Sequence, residues 1–184
     1  MKVVSMLLML LFFYACVSVE EKAADREPLY DYDVEERIAE LGIKLKDPSP
    51  PAANYVHSVR TNDLVFMAGK GPTRPDGTRI TGKVGIDLTV EEGYKAAQIV
   101  AEAQLSALRA EIGNLNKVVR IVKVLGMVNC SPEFKNQPEV INGFSDTMVE
   151  VFGERGKHAR AAVGIGALPG NIAVEIEMIV AVGD

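Results

Sequence analysis

Between His158 and Val182 the chain reads HARAAVGIGALPGNIAVEIEMIVAV, and the alternation in its second half leaves few folds open. Val174, Ile176, Met178 and Val180 fall on one side of an extended chain, and Glu175, Glu177, Ile179 and Ala181 on the other. Successive side chains of a strand point to opposite faces, so the run predicts a sheet with one packed face. Leu168-Pro169-Gly170-Asn171 carries turn chemistry and separates it from a first β-like run. Arg160 opens that first run as the only arginine of the stretch, with Ala161, Ala162 and Gly164 leaving space around it. Residue types and spacing leave two readings. An arginine and a carboxylate on two adjacent strands, beside small residues, form either a polar pocket against a β surface or an ordinary edge ion pair.

Upstream the period changes. Val90, Tyr94, Ala97, Ala101, Leu105, Leu108 and Ile112 recur at three- and four-residue steps, the signature of a helix with one apolar stripe. Thr89-Val90-Glu91-Glu92 has capping-box spacing at its start, and Gly113-Asn114 supplies its C-cap. The β-branched run from Lys117 to Val128 predicts a central strand. Pro138 suits the first position of a second helix, which runs through Phe152 and buries Val140 or Ile141, Phe144, Met148 and Phe152. Tyr55 to Gly69 predicts a strand, a turn at Thr61-Asn62-Asp63 and a second, more buried strand; Pro72 to Gly85 is loop-like. Strands, helix, strand, helix, strand, strand is the order of a two-layer α+β domain, with two helices on one face of a mixed sheet.

With 184 residues, 48% of them hydrophobic, the chain supports one domain with a real core and an N-terminal extension. Met1 to Val17 is a basic start followed by an apolar run, too short for a membrane span of about 20 residues and suited to a secretory signal. The expectation is export to a periplasm or beyond, with residues 1–18 as the signal and no membrane span after processing. Cys16, behind Phe13-Tyr14-Ala15, loosely resembles a lipoprotein box and leaves a lipid anchor open. Residues 19–53 read as a polar linker with a short helix from the capping box Asp33-Val34-Glu35-Glu36, Ile38 and Leu41 forming its apolar side. The prolines between Lys46 and Pro51 break regular structure, so the compact domain is expected over 54–184.

A net charge of −5 without a clustered basic stripe gives no nucleic-acid surface. Two cysteines, Cys16 and Cys130, make no disulfide framework, and Cys130 reads as an inert loop thiol. Two histidines without a CxxC or HExxH pattern argue against a metal site, and no glycine-rich phosphate loop is present. Neither a metal nor a cofactor is expected.

Arg160-x-x-Val163, Leu168-Pro169 and Val174-Glu175-Ile176-Glu177 together form a recognisable closing pattern. With Gly82–Asp87 (GKVGID), Glu92-Gly93-Tyr94, Val140–Asp146 (VINGFSD) and Gly156–Arg160 (GKHAR), it resembles the RidA (YjgF) family of reactive-intermediate imine/enamine deaminases, in a branch often labelled endoribonuclease L-PSP. The resemblance runs from about Asn54 to Val182. It implies a chorismate-mutase-like domain assembled as a homotrimer, with the sheets as a central barrel and a ligand cleft between neighbouring subunits. It also implies hydrolysis of small enamine or imine carboxylates to a 2-oxo acid and ammonia, without a cofactor.

On this resemblance Arg160 holds the substrate carboxylate with a planar fork that a lysine lacks. Glu175 orients a water and accepts its proton. Tyr55, fourteen positions before Gly69, lines the pocket; Asn142 lies near it, and backbone groups around Gly69 and Ala162 add polar contacts. Where the family usually has Ser-Gly-Gln this chain has Ala68-Gly69-Lys70, which removes a hydroxyl and adds a charge; Lys70 reads as a second anion contact or a solvated loop lysine. Glu177 is expected to be structural and salt-bridged between subunits, His158 to cap the glycine-rich turn, and His57 to be a surface or interface residue. The competing reading is a non-catalytic trimeric module that binds small carboxylates, which needs Arg160 but not Glu175. A ribonuclease would need a basic patch or a histidine pair.

Overall fold

Thr89 and Glu92 satisfy each other's backbone amides at 3.1 and 2.8 Å, both halves of the expected capping box. From that start helix α2 runs over Val90–Ile112 and stops where Gly113 turns to φ 80°. The computed structural model describes residues 28–51 and 53–183; the expected signal, Cys16 and the tether through residue 27 lie outside them. Two further helices, α1 at Val34–Glu40 and α3 at Gln137–Phe152, accompany five strands. These are β1 Ser58–Thr61, β2 Leu64–Lys70, β3 Val118–Asn129, β4 Ala159–Ile165 and β5 Val174–Val182, in the sheet order β1-β2-β5-β3-β4. Only β3 and β4 pair in parallel; the other neighbours are antiparallel. This is the mixed two-layer α+β architecture that the element order predicts. Tyr55, expected in the first strand, stands ahead of it.

Helices α2 and α3 lie on one face of the sheet. Val100, Leu105 and Leu108 of α2 and Phe144 and Met148 of α3 are fully buried with Val65, Val124, Ile176 and Val180 of the strands. The sequence left Val140 and Ile141 as alternatives, and both are buried. The reason is that α3 has two neighbours: Val140 fits against Gly93 of α2, while Ile141 presses on Gly126 of β3. Gly143 lets the helices approach so closely that any Cβ there would strike the Tyr94 carbonyl. The opposite face has no second layer among the described residues. Val59, Phe66 and Val163 are exposed on it, and Val59, Phe66 and Ile179 pair across three strands as an apolar row.

Two expectations need correction. The packed unit starts earlier than Asn54, because Tyr30, Val34 and Ile38 are part of the core. The Tyr30 hydroxyl donates to the Val118 carbonyl, and Arg155 donates to Leu29 and Val119 carbonyls at 2.9 Å each while its guanidinium lies over the Tyr30 ring. The second correction concerns the closing stretch. The runs around Leu168–Asn171 are not adjacent strands, since β3 lies between β4 and β5. A helix that links parallel strands returns the chain beside the strand it left, so the β3–α3–β4 crossover takes one side of β3 and leaves β5 the other.

Candidate functional site

That topology decides where Arg160 goes. It pairs with Val124, whose side chain is fully buried on the helical face, so the arginine of edge strand β4 points toward α3. Its Nη1 donates to Asn142 Oδ1 at 2.9 Å and to Ser145 Oγ at 3.0 Å. Those two residues stand three apart on α3 and share one face of it. No carboxylate among the described residues forms an ion pair with Arg160, so the edge-ion-pair reading does not hold within the chain. Neutral oxygens hold the guanidinium and leave its charge unpaired.

His158 completes this group. Its Nδ1 lies 2.7 Å from the Gly156 carbonyl, the turn-capping role expected of it, and its Nε2 lies 3.1 Å from Ser145 Oγ. Burial lowers the pKa of the ring; the Gly156 bond acts the other way, and the nearby Arg160 charge adds to the lowering. Gly164 does not open space for Arg160 as expected. A Cβ there would meet Gln137 and Cys130, because Gly164 sits at the far end of β4.

Glu175 belongs to a second group. It pairs with Met127 on the open face of the sheet, opposite in sense to Arg160. Its carboxylate covers Gly69, where any Cβ would collide with it. A bulge in β2 between Met67 and Lys70 sets this up, and Gln104 of α2 holds it by donating to the Ala68 and Ile176 carbonyls at 2.9 and 2.7 Å. Burial raises the Glu175 pKa, and the charge of Glu177 raises it further. Glu177 is exposed, and neither carboxylate has an ion-pair partner among the described residues. Tyr55 is 52% exposed and lies ahead of β1.

Lys70 and His57 join near this second group, which sequence gave no reason to expect. The Lys70 ammonium donates to His57 Nδ1, and His57 Nε2 lies 2.6 Å from the Ser49 carbonyl. Burial lowers the Lys70 pKa, and Lys70 forms no ion pair with Glu175.

The structure thus brings Arg160 and Asn142 together and sets Glu175 over Gly69, while the two groups remain apart. Strands β4 and β5 are two spacings apart, about 10 Å, and the side chains leave opposite faces. Ala162 lies two residues beyond Arg160 on β4, opposite Gly126. Ser145, Gln104 and the Lys70–His57 pair escaped sequence reading. Of these only Ser145 left a signal, its three-residue spacing from Asn142, and that becomes informative once β4 is known to pack beside α3.

A family model described as Endoribonuclease L-PSP matches residues 46–182. The Trypanosoma cruzi protein TCP17 is 42% identical over 144 residues, covering 78% of this chain and 90% of its own. A crystal structure of an Agrobacterium tumefaciens protein of unknown function is 39% identical, with a TM-score of 0.75 over 82% of this chain and 94% of that one. RidA from an Antarctic Psychrobacter is 26% identical, with a TM-score of 0.51 over 74% of this chain and 94% of its own.

Proposed function

This chain belongs to the endoribonuclease L-PSP (RidA/YjgF) family, and on that premise we propose that it hydrolyses small imine or enamine carboxylates to 2-oxo acids and ammonia. The observation that carries the reading is the Arg160 guanidinium, fixed by Asn142 and Ser145 at a sheet edge with its charge unpaired. Such a group suits a carboxylate brought from outside the chain.

In the proposed reaction Arg160 pins the substrate carboxylate and so orients the C=N carbon. Glu175 takes one proton from a water whose oxygen bonds to that carbon of the protonated imine, and a carbinolamine forms. Glu175 returns this proton to the nitrogen; as the C–N bond breaks, the hydroxyl gives its own proton to Glu175 and becomes the C=O of the 2-oxo acid, and ammonia leaves. A carboxylate with a raised pKa is suited to these transfers.

The reading includes a homotrimer. Arg160 and Glu175 lie apart in one chain, and a closed ring of identical interfaces brings Arg160 of one protomer to Glu175 of its neighbour. The unpartnered apolar row Val59–Phe66–Ile179 on the open sheet face supports burial there, as in a central barrel. Export rests on the Met1–Val17 pattern and forms part of the proposal. No helix among the described residues is long and apolar enough to cross a membrane. Hydrolysis of RNA gets no support from the histidines: His57 engages Lys70 and Ser49, His158 engages Ser145 and Gly156, and they do not face each other.

The test couples an amino-acid oxidase, which releases 2-imino acids, to semicarbazide, which traps them. Wild type is expected to suppress semicarbazone formation, with Arg160→Ala losing at least about a hundredfold of that suppression, the scale of a lost charge-assisted bidentate contact. A wild type that fails to suppress it leaves carboxylate binding without turnover as the function.

A further inference from the structure

We propose that Ser145 and His158 are positioning residues for Arg160, a hydrogen-bonded relay that locks the guanidinium and leaves its Nε–Nη2 edge as the fork for a carboxylate. The inference rests on the reading of Arg160 as the carboxylate holder.

The direction of each bond follows from what its atoms can do. The Gly156 carbonyl only accepts, so His158 Nδ1 at 2.7 Å carries the proton. The neutral ring then offers a lone pair at Nε2, and the Ser145 hydroxyl donates to it across 3.1 Å. With its proton committed there, Ser145 Oγ presents lone pairs to Arg160 Nη1 at 3.0 Å. Asn142 Oδ1 takes the other Nη1 proton at 2.9 Å. Burial disfavours the charged form of the His158 ring, and the Phe144 ring stands edge-on to it at 6.4 Å between centroids.

A contrast inside the molecule shows that Ser145 is committed to this use. Helical serines and threonines commonly turn back onto the carbonyl four residues earlier. Ser106 does so to Glu102 at 2.7 Å, and Thr147 does so to Gly143 at 2.8 Å. Ser145, two residues before Thr147 on the same helix, instead reaches across to β4 and the chain just before it. Nη1 is thereby saturated, while Nε and Nη2 have no partner among the described residues. Their parallel N–H groups match the two oxygens of a planar carboxylate. Two anchors on Nη1 fix the plane of the fork; one anchor would let it swing.

Calorimetric titration of the full chain with pyruvate, a stable 2-oxo acid, tests the relay without depending on turnover. Ser145→Ala and His158→Phe are each expected to weaken pyruvate binding about five- to tenfold, the scale of one ordinary hydrogen bond lost behind the group that holds the ligand. For imine hydrolysis KM should rise by a similar factor, with kcat within about twofold. The double variant should lose no more than the worse single one, since both break one chain of bonds. Nitrogen NMR of wild type should show His158 protonated at Nδ1 and bare at Nε2. Unchanged pyruvate affinity in Ser145→Ala, losses that multiply in the double variant, or a proton on Nε2 would overturn the relay. Ser145→Ala removes a single atom from a half-buried site, so it answers the question even where His158→Phe fails to fold. Failure of the parent reading looks different. A wild type that does not bind pyruvate, or an Arg160→Ala variant that binds it equally well, removes Arg160 as the carboxylate holder and the relay with it. Loss in Arg160→Ala alone removes only the relay.

Discussion

Arg160 and Glu175 stand in contrasting surroundings within one small sheet. The guanidinium is tied to α3 by two hydrogen bonds from a single nitrogen, with a histidine buttress behind one of the acceptors. The carboxylate is half-buried over a glycine, with no ion-pair partner among the described residues and a like charge two residues away. A group that grips must keep its charge and its direction, so neutral, directional partners suit it. A group that passes a proton must change its charge, so burial beside a like charge suits it. On the proposed reading the two half-sites therefore serve different tasks, and each is sensitive to a different kind of damage.

The largest separation of the two comes from Glu175→Gln. The amide fills the same space over Gly69 and removes only the capacity to take a proton. kcat for imine hydrolysis should fall about a hundredfold or more, the scale of a lost general base, while calorimetric pyruvate affinity stays within about twofold. Melting should hardly move, because the carboxylate has no ion-pair partner within the described chain. A loss of pyruvate affinity equal to the loss of kcat would mean that Glu175 holds the ligand, and the division of labour would collapse.

Gly69→Ala sharpens the same division by geometry instead of charge. The new Cβ would occupy the place of the Glu175 carboxylate, the movable end of a flexible side chain. Gly69 is not among the residues with positive φ, so alanine fits its backbone. The carboxylate has to shift, and kcat should fall about tenfold with little change in Tm, as a small misplacement of a catalytic group commonly does. Arg160 belongs to the other half-site, so pyruvate binding should persist. Steady-state kinetics paired with thermal melting would read both effects, and an unchanged kcat would separate Glu175 from the chemistry.

Most of the scaffold was legible in the chain because local rules and tertiary packing agree there. The Thr89 capping box, the Gly113 stop and the alternation of β5 fall where residue pattern places them, and Pro138 stands one position inside the start of α3 instead of at it. What pattern could not carry was strand order. Residues on both sides of Leu168–Asn171 look like a hairpin, yet nothing local to that turn reveals that β3 separates the two runs. The faces of Arg160 and Glu175 depend on that one fact, as do the partners of Arg160. The short helix behind Asp33 was legible, but its packing into the core escaped for a related reason. Tyr30, Val34 and Ile38 are apolar points in a polar stretch, and their burial depends on partners more than 80 residues away, such as Asn116 for the Val34 amide and Val118 for the Tyr30 hydroxyl.

The smallest effect probes Glu177, the like charge beside Glu175. Glu177 points to the same face as Glu175 and disfavours its ionised form, although burial is the larger cause of the raised pKa. On the proposed reading Glu175 works when deprotonated, so its raised pKa sets an acid limb in kcat/KM at higher pH than an unperturbed carboxylate would give. Glu177→Gln removes the like charge and leaves the burial. The limb should therefore move toward lower pH, and the plateau at higher pH should stay within about twofold, because the reacting groups are unchanged. The direction is diagnostic. If Glu177 instead serves to anchor a salt bridge between protomers, its loss should lower Tm and make it dependent on protein concentration, with the limb unmoved. If the limb moves toward higher pH, Glu177 has been holding a cation beside Glu175, and the carboxylate is tuned by a charge supplied from outside its own chain.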